Sequence, residues 1–197
     1  MLGILAYGSL ITDPGAELLA VTVGRTDNVP TPFPVEFARS SDGREGAPTL
    51  VPFAGGSPVN AVIFTVDTTP EEAANILYRR EINQVGSDKV YREPAPDRTR
   101  AVRIDRFGDI VGYDLVLSTR LAATIDPLTA EGLADLAIES ARQLDDGRDG
   151  ISYLAAAQAS GIVTPLTEAY QAAILAKTDT ADLAAALAAI RGTTAAV

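Results

Sequence analysis

The chain has no cysteine and no histidine. Their absence excludes disulfides, thiol nucleophiles, Ser-His-Asp and Cys-His mechanisms, and zinc sites built from imidazole or thiolate. Lysine is nearly absent too, with only Lys89 and Lys177, which leaves little room for a lysine nucleophile. If the protein is an enzyme, its proton-transfer group is expected to be a carboxylate, assisted by tyrosines, hydroxyls and backbone amides. Basic charge is also short. The net charge is −10, which argues against non-specific nucleic-acid binding and against an anionic membrane surface. There is no leader with a charged and then an apolar stretch, and no run long enough to span a bilayer, so a cytoplasmic location is the default expectation.

What remains is an ordinary globular composition, 47% hydrophobic and 21% charged over 197 residues. That length supports one compact domain, 1–197, with a sizeable core. Short β-prone runs occur at Gly3–Tyr7, Ala20–Val23, Val35–Arg39, Thr49–Phe53 and Val59–Val66, punctuated by proline and glycine. A helix is expected over Pro70–Ile82, then strands at Arg100–Phe107 and Ile110–Leu117 joined by a turn at Phe107–Ile110. From about residue 127 the pattern becomes helical, at Thr129–Leu144, Ile151–Ala159, Leu166–Ala176 and Ala181–Ile190. The expectation is therefore an α+β fold. A small closed or nearly closed sheet with one helix fills 1–126, and a helical region fills 127–197.

Two features carry chemistry. The first is Ala-Tyr-Gly-Ser-Leu-Ile, Ala6 to Ile11, directly after an apolar strand and before the Pro14-Gly15 turn. A strand running into Gly-Ser leaves backbone N–H groups without strand partners, and such groups cradle carboxylates or oxyanions. Gly8 permits close backbone approach and positive φ. The second feature is Glu81. Thr69 is a cap, Pro70 stands at the first helical position and Glu72 completes a capping box. At ~100° per residue Glu81 then falls among Ala74, Leu77 and Tyr78 on the apolar stripe, with Arg79 pointing the other way. A carboxylate facing a core is costly unless hydrogen-bonded. Either Glu81 is a chemical group, or it ends the helix and pairs with an arginine.

Other motifs carry less. Asp145–Gly150 lacks an acidic or amide residue where Gly147 stands and a glutamate where Ala156 stands, so it reads as a solvated turn and not a calcium loop. Arg98, Arg100 and Arg106 read as a solvated strand face. Arg39 and Arg44 flank a loop and can bind a substrate carboxylate, although ordinary surface charge explains each alone. Gly55-Gly56 is a turn without phosphate-loop spacing.

With Tyr7-Gly8-Ser9-Leu10 near its start and Glu81 on a helix after the fifth strand, the chain resembles the gamma-glutamylcyclotransferase-like family, which includes ChaC-type and AIG2-like proteins. The resemblance spans residues 3 to about 117. It implies a mixed β-barrel, no cofactor and no metal, and a small-molecule γ-glutamyl substrate. Tyr7, Gly8, Ser9 and Leu10 match the loop that holds the γ-glutamyl group through main-chain amides. Glu81, in Arg79-Arg80-Glu81, matches the catalytic glutamate, and Tyr91 matches the tyrosine that follows it. The implied reaction is intramolecular aminolysis, giving 5-oxoproline and a free amine or amino acid. Two other expectations stand beside it. One is a non-catalytic module that binds γ-glutamyl ligands. The other is an enzyme that removes a γ-glutamyl cap from a larger biosynthetic amine.

Overall fold

The computed structural model describes residues 1–194. Its strands are β1 (Leu2–Ala6), β2 (Thr22–Pro30), β3 (Val35–Ser41), β4 (Ala47–Pro52), β5 (Asn60–Val66), β6 (Arg103–Phe107) and β7 (Leu115–Arg120). Its helices are α1 (Ser9–Thr12), α2 (Ala16–Val21), α3 (Pro70–Glu81), α4 (Ala130–Gln143), α5 (Gly150–Ala159), α6 (Thr167–Thr178) and α7 (Leu183–Thr194). The chain divides into two compact units. One comprises Met1–Pro32 and Asn60–Ala122, and the other starts with Phe33–Val59 and resumes at Ala123.

The first unit is a mixed sheet in the order β2-β5-β1-β7-β6. Its central strand β1 runs antiparallel to β5 and parallel to β7, so that Ile4 faces Phe64 on one side and Leu117 on the other. Ile4, Ala6, Val62, Phe64 and Leu117 fill one sheet face and receive Ala73, Ala74, Ile76 and Leu77 of α3. The fold is thus α+β, with a mixed sheet and flanking helices. A closed ring of strands is not formed among the described residues. The β3–β4 hairpin makes a separate two-stranded sheet, and β2 and β6 are the edges of the larger one.

Local differences from the sequence expectations have physical causes. The first half of the strand expected at Ala20–Val23, Ala20 and Val21, is the end of α2. Gly15 turns the chain at φ 82°, Leu18 is buried in the core, and the extended backbone begins only at Thr22. The link from β6 to β7 is longer than a tight turn, because Tyr113 folds inward. It is buried, and its hydroxyl bonds to those of Thr65 (2.6 Å) and Thr26 (3.0 Å). Arg98 and Arg100 lie in the irregular segment ahead of β6 and not on a strand face.

Helix α3 starts at Pro70 as expected, with the Thr69 hydroxyl accepting from the Glu72 N–H at 3.2 Å, but the expected capping box is not closed, because the Glu72 carboxylate binds Asn75 and Arg79. It stops at Glu81 through a Schellman closure. Asn83 takes the left-handed conformation at φ 55°, its N–H donates to Arg80 O, and the Gln84 N–H donates to Arg79 O at 2.8 Å.

In the second unit α4, α5 and α6 pack against the β3–β4 hairpin, so β3 and β4 group with the helical region and not with the larger sheet. Phe37 of β3 meets Tyr170 and Tyr153 edge-on, with centroids 5.4 and 6.2 Å apart. Glu36, only 1% exposed, accepts from the Phe37 N–H, the Thr164 hydroxyl and the Leu166 N–H, which ties β3 to the start of α6. Asp149 is not part of a solvated turn. It is buried, caps α5 by accepting from the Ile151 and Ser152 N–H groups, and pairs with Arg191 at 3.1 Å. Among the described residues no helix is long and apolar enough to cross a membrane.

Gly3 lets β1 lie under Tyr113. A Cβ there would come 2.5 Å from Ile63 Cγ2 and 2.9 Å from Tyr113 Cδ1. The first is a buried β-branched side chain and the second a ring pinned at its hydroxyl, so neither yields cheaply. Gly3→Ala is expected to cost about 1–3 kcal/mol, read as an earlier urea midpoint with unchanged slope. An unaltered midpoint would show that the Tyr113 ring gives way.

Candidate active site

The strand β1 delivers the Tyr7–Leu10 motif at its C-terminal end. Gly8 turns the chain with φ 59° and ψ −136°, a region closed to most other residues. The short helix α1 follows. Leu10 drops its side chain into the core shared with Leu18 and Leu77, so only its backbone is offered outward. The Ile11 N–H turns back to Gly8 O, and the Asp13 N–H to Ser9 O. Among the described residues the Ser9 and Leu10 N–H groups at the head of this turn donate to no protein acceptor, as expected of first-turn amides.

Glu81 is the last residue of α3, one helical turn after Leu77 on the apolar side. It is half-buried and not sealed in the core. Its Oε1 accepts a hydrogen bond from the Thr119 hydroxyl on β7 at 3.4 Å. Because β1 and β7 are parallel, their C-terminal ends lie on the same side of the sheet, where ligands of open α/β sheets commonly bind.

Arg80 joins the two features. Its guanidinium donates to Asp13 O through Nε (3.3 Å) and Nη2 (2.9 Å), and Nη2 also donates to the Ser9 hydroxyl at 3.3 Å. The end of α3 is thereby held against the turn that follows β1. Composition and helical spacing do not announce this role, since Arg80 reads from the sequence as an ordinary charge near a helix end.

Arg79 does not point to solvent. It is 7% exposed because α2 and the segment after α3 cover it. Its Nε pairs with Glu17 at 2.8 Å, its Nη2 with Glu72 at 2.6 Å, and its Nη1 donates to Lys89 O. Glu17 in turn accepts from the Gly86 N–H, so one buried charge fastens the long loop after α3.

Tyr91 sits in that loop beside the ring of Tyr78, with centroids 5.8 Å apart. Its N–H donates to Asn75, and its hydroxyl accepts from the Ile104 N–H and donates to Glu93. Burial and the neighbouring Glu93 hold the Tyr91 hydroxyl above its ordinary pKa. The hydroxyl that the resemblance assigns to substrate is thus engaged in tying the loop to edge strand β6. Arg39 lies on β3 in the second unit, beside a bulge and opposite Thr49. The first unit therefore carries Tyr7, Gly8, Ser9, Leu10, Glu81 and Tyr91, and Arg39 stands outside it. No cluster of three or more side chains suited to a metal ion occurs among the described residues.

No family model, curated protein or solved structure matches the chain.

The hydrogen bond from Asn75, with that from Arg79, holds the Glu72 carboxyl below its ordinary 4.5. Folding thus favours the charged form. The stabilisation is complete above the unfolded value and is lost as pH falls through the lowered one. Glu72→Gln is expected to flatten the acid limb of the stability curve below about pH 4.5, measured by urea unfolding from pH 7 to 3. An unchanged limb would place the acid sensitivity elsewhere.

Proposed function

We propose that the chain is a gamma-glutamylcyclotransferase-like enzyme that releases 5-oxoproline and an amine or amino acid from a γ-glutamyl compound. The observation that carries the reading is the joining of Glu81's helix end to the Ser9–Asp13 turn through Arg80. Residues far apart in sequence thereby supply a carboxylate and first-turn amides at one end of the β1–β7 pair. On this reading the five-stranded sheet is the part of that family's mixed barrel that bears the site. The substrate is a small molecule, and the location is cytoplasmic.

The reaction follows from what these groups can do. The Glu81 carboxylate takes a proton from the substrate's α-ammonium. The freed amine attacks the γ-carbonyl carbon of the same molecule, forming the ring C–N bond and pushing the carbonyl electrons onto oxygen. Amides of the Tyr7–Leu10 turn hold that oxyanion or the substrate's α-carboxylate. The oxyanion then re-forms the carbonyl as the exocyclic C–N bond breaks. Glu81 gives its first proton to the departing nitrogen, then takes the second from the ring nitrogen and passes it to the released amine, so that 5-oxoproline and an ammonium product leave. The nucleophile is tethered, so proximity supplies much of the acceleration. One carboxylate serves as base and then acid, and neither imidazole nor thiol is needed.

A second reading draws on the Thr119 hydroxyl bond to Glu81. A carboxylate fixed in this way suits a non-catalytic module that binds the ammonium of a γ-glutamyl ligand without turnover. Incubation with a panel of γ-glutamyl dipeptides and amines, with 5-oxoproline followed by mass spectrometry, separates the two. Binding by calorimetry with no 5-oxoproline from any member would favour the module.

Glu81→Gln is expected to keep the fold and lower turnover at least ~10²-fold, the lower end for general acid–base groups. A near wild-type rate on the best substrate would end the proposed role, and an unfolded variant would favour a structural one. Gly8→Val is expected to raise KM more than it lowers Tm, because a β-branched residue resists the φ of 59° and crowds the turn. A large drop in Tm with unchanged KM would assign Gly8 to the strand–turn geometry alone.

A further inference from the structure

We infer that Arg80 is a positioning residue that sets the distance between the base and the amide turn, an inference that rests on the proposed reaction at this site. Three features support it. Arg80 donates to the Ser9 hydroxyl and twice to Asp13 O, so it grips both ends of the Ser9–Asp13 turn. Its side chain is only 17% exposed, and its Cγ lies 3.6 Å from where a Cβ on Gly15 would stand, so the stem is held as well as the head. Glu81 is the next residue and the last of the helix, immediately before the Asn83 closure. No other residue among the predicted motifs has side-chain bonds to this turn while being joined covalently to the base.

The guanidinium fork is needed for this geometry. A planar group with several donors reaches a carbonyl and a hydroxyl together, whereas an ammonium is a point donor on a flexible stem. The Asp13 carboxylate adds an ion pair at 3.6 Å. Asp13 is itself well exposed, so this pair contributes little to stability. The bonds to Asp13 O and Ser9 fix geometry in a way the surface pair does not.

The test uses the full chain with Arg80→Met, Arg80→Lys and Ser9→Ala, and two readouts. The first is 5-oxoproline release from γ-glutamyl-alanine and the rest of the dipeptide panel. The second is hydrogen–deuterium exchange of the backbone amides over residues 9–15, which needs no substrate. Arg80→Met is expected to speed exchange of that segment about tenfold or more and to lower kcat about 10- to 100-fold, with KM rising severalfold at most. Arg80→Lys should recover part of kcat, and Ser9→Ala should cost less than Arg80→Met. Combined with Arg80→Met, Ser9→Ala should add almost nothing, since the bond it removes is already lost with the guanidinium. A lower Tm with kcat and KM unchanged would overturn the inference, as would wild-type exchange over 9–15. If Arg80→Met does not fold, Arg80→Lys and Ser9→Ala decide by the same two readouts. If the wild-type chain forms no 5-oxoproline from any substrate, the proposed reaction fails. Unchanged exchange in Arg80→Met would then show separately that the grip itself is absent.

Discussion

Ala73, Ala74, Ile76 and Leu77 of α3 bury themselves on the sheet face built from Ile4, Ala6, Phe64 and Leu117, and this contact decides where the end of the helix lies. Burial of apolar area contributes roughly 25 cal/mol per Å², and the small alanines let the helix sit close to the strands. Once the stripe is seated, the last turn overhangs the C-terminal ends of β1 and β7. Glu81 then reaches Thr119, and Arg80 reaches the turn after β1. The Schellman closure at Asn83 stops the helix there, so the carboxylate occupies a helix end and not a helix middle.

Arg79 and Arg80 are adjacent but perform opposite tasks. Arg79 turns toward α2 and the loop, where two carboxylates and a carbonyl surround it. Arg79 is buried but Glu17 and Glu72 are partly exposed, so solvent screens these pairs; what they do is fasten α2 and the loop to α3. Arg80 turns toward the Ser9–Asp13 turn, where its partners are backbone and hydroxyl oxygens. Successive residues on a helix project about 100° apart, and that rotation is enough to send two like charges to two different loops.

Much of the architecture was legible in the sequence. The Thr69 cap, Pro70 at the helix start and the Thr129 cap of α4 act locally, and the structure places both helix starts there. The positive φ at Gly8 was likewise legible, since strand–Gly–Ser demands a turn. Less legible were the interactions between distant segments. Val21 belongs to the β-prone run Val21–Val23, yet it closes α2 because Leu18 is drawn into the core. Arg79 looked solvent-facing because helical spacing knows nothing of α2. Asp149 looked like part of a solvated loop until α7 brought Arg191 to it.

The amino-acid sequence by itself determined most of the element types, the chemistry excluded by the lack of histidine and cysteine, and the two motifs at Tyr7–Leu10 and Glu81. These follow from residue type, short-range capping and periodicity, all of which act within a few residues. Only the tertiary structure decided the parallel pairing of β1 with β7, the membership of β3 and β4 in the second unit, and the grip of Arg80 on the turn after β1. Strand order and side-chain pairing across 67 residues depend on which buried surfaces fit together. That is a property of the packed core, and local sequence patterns do not encode it.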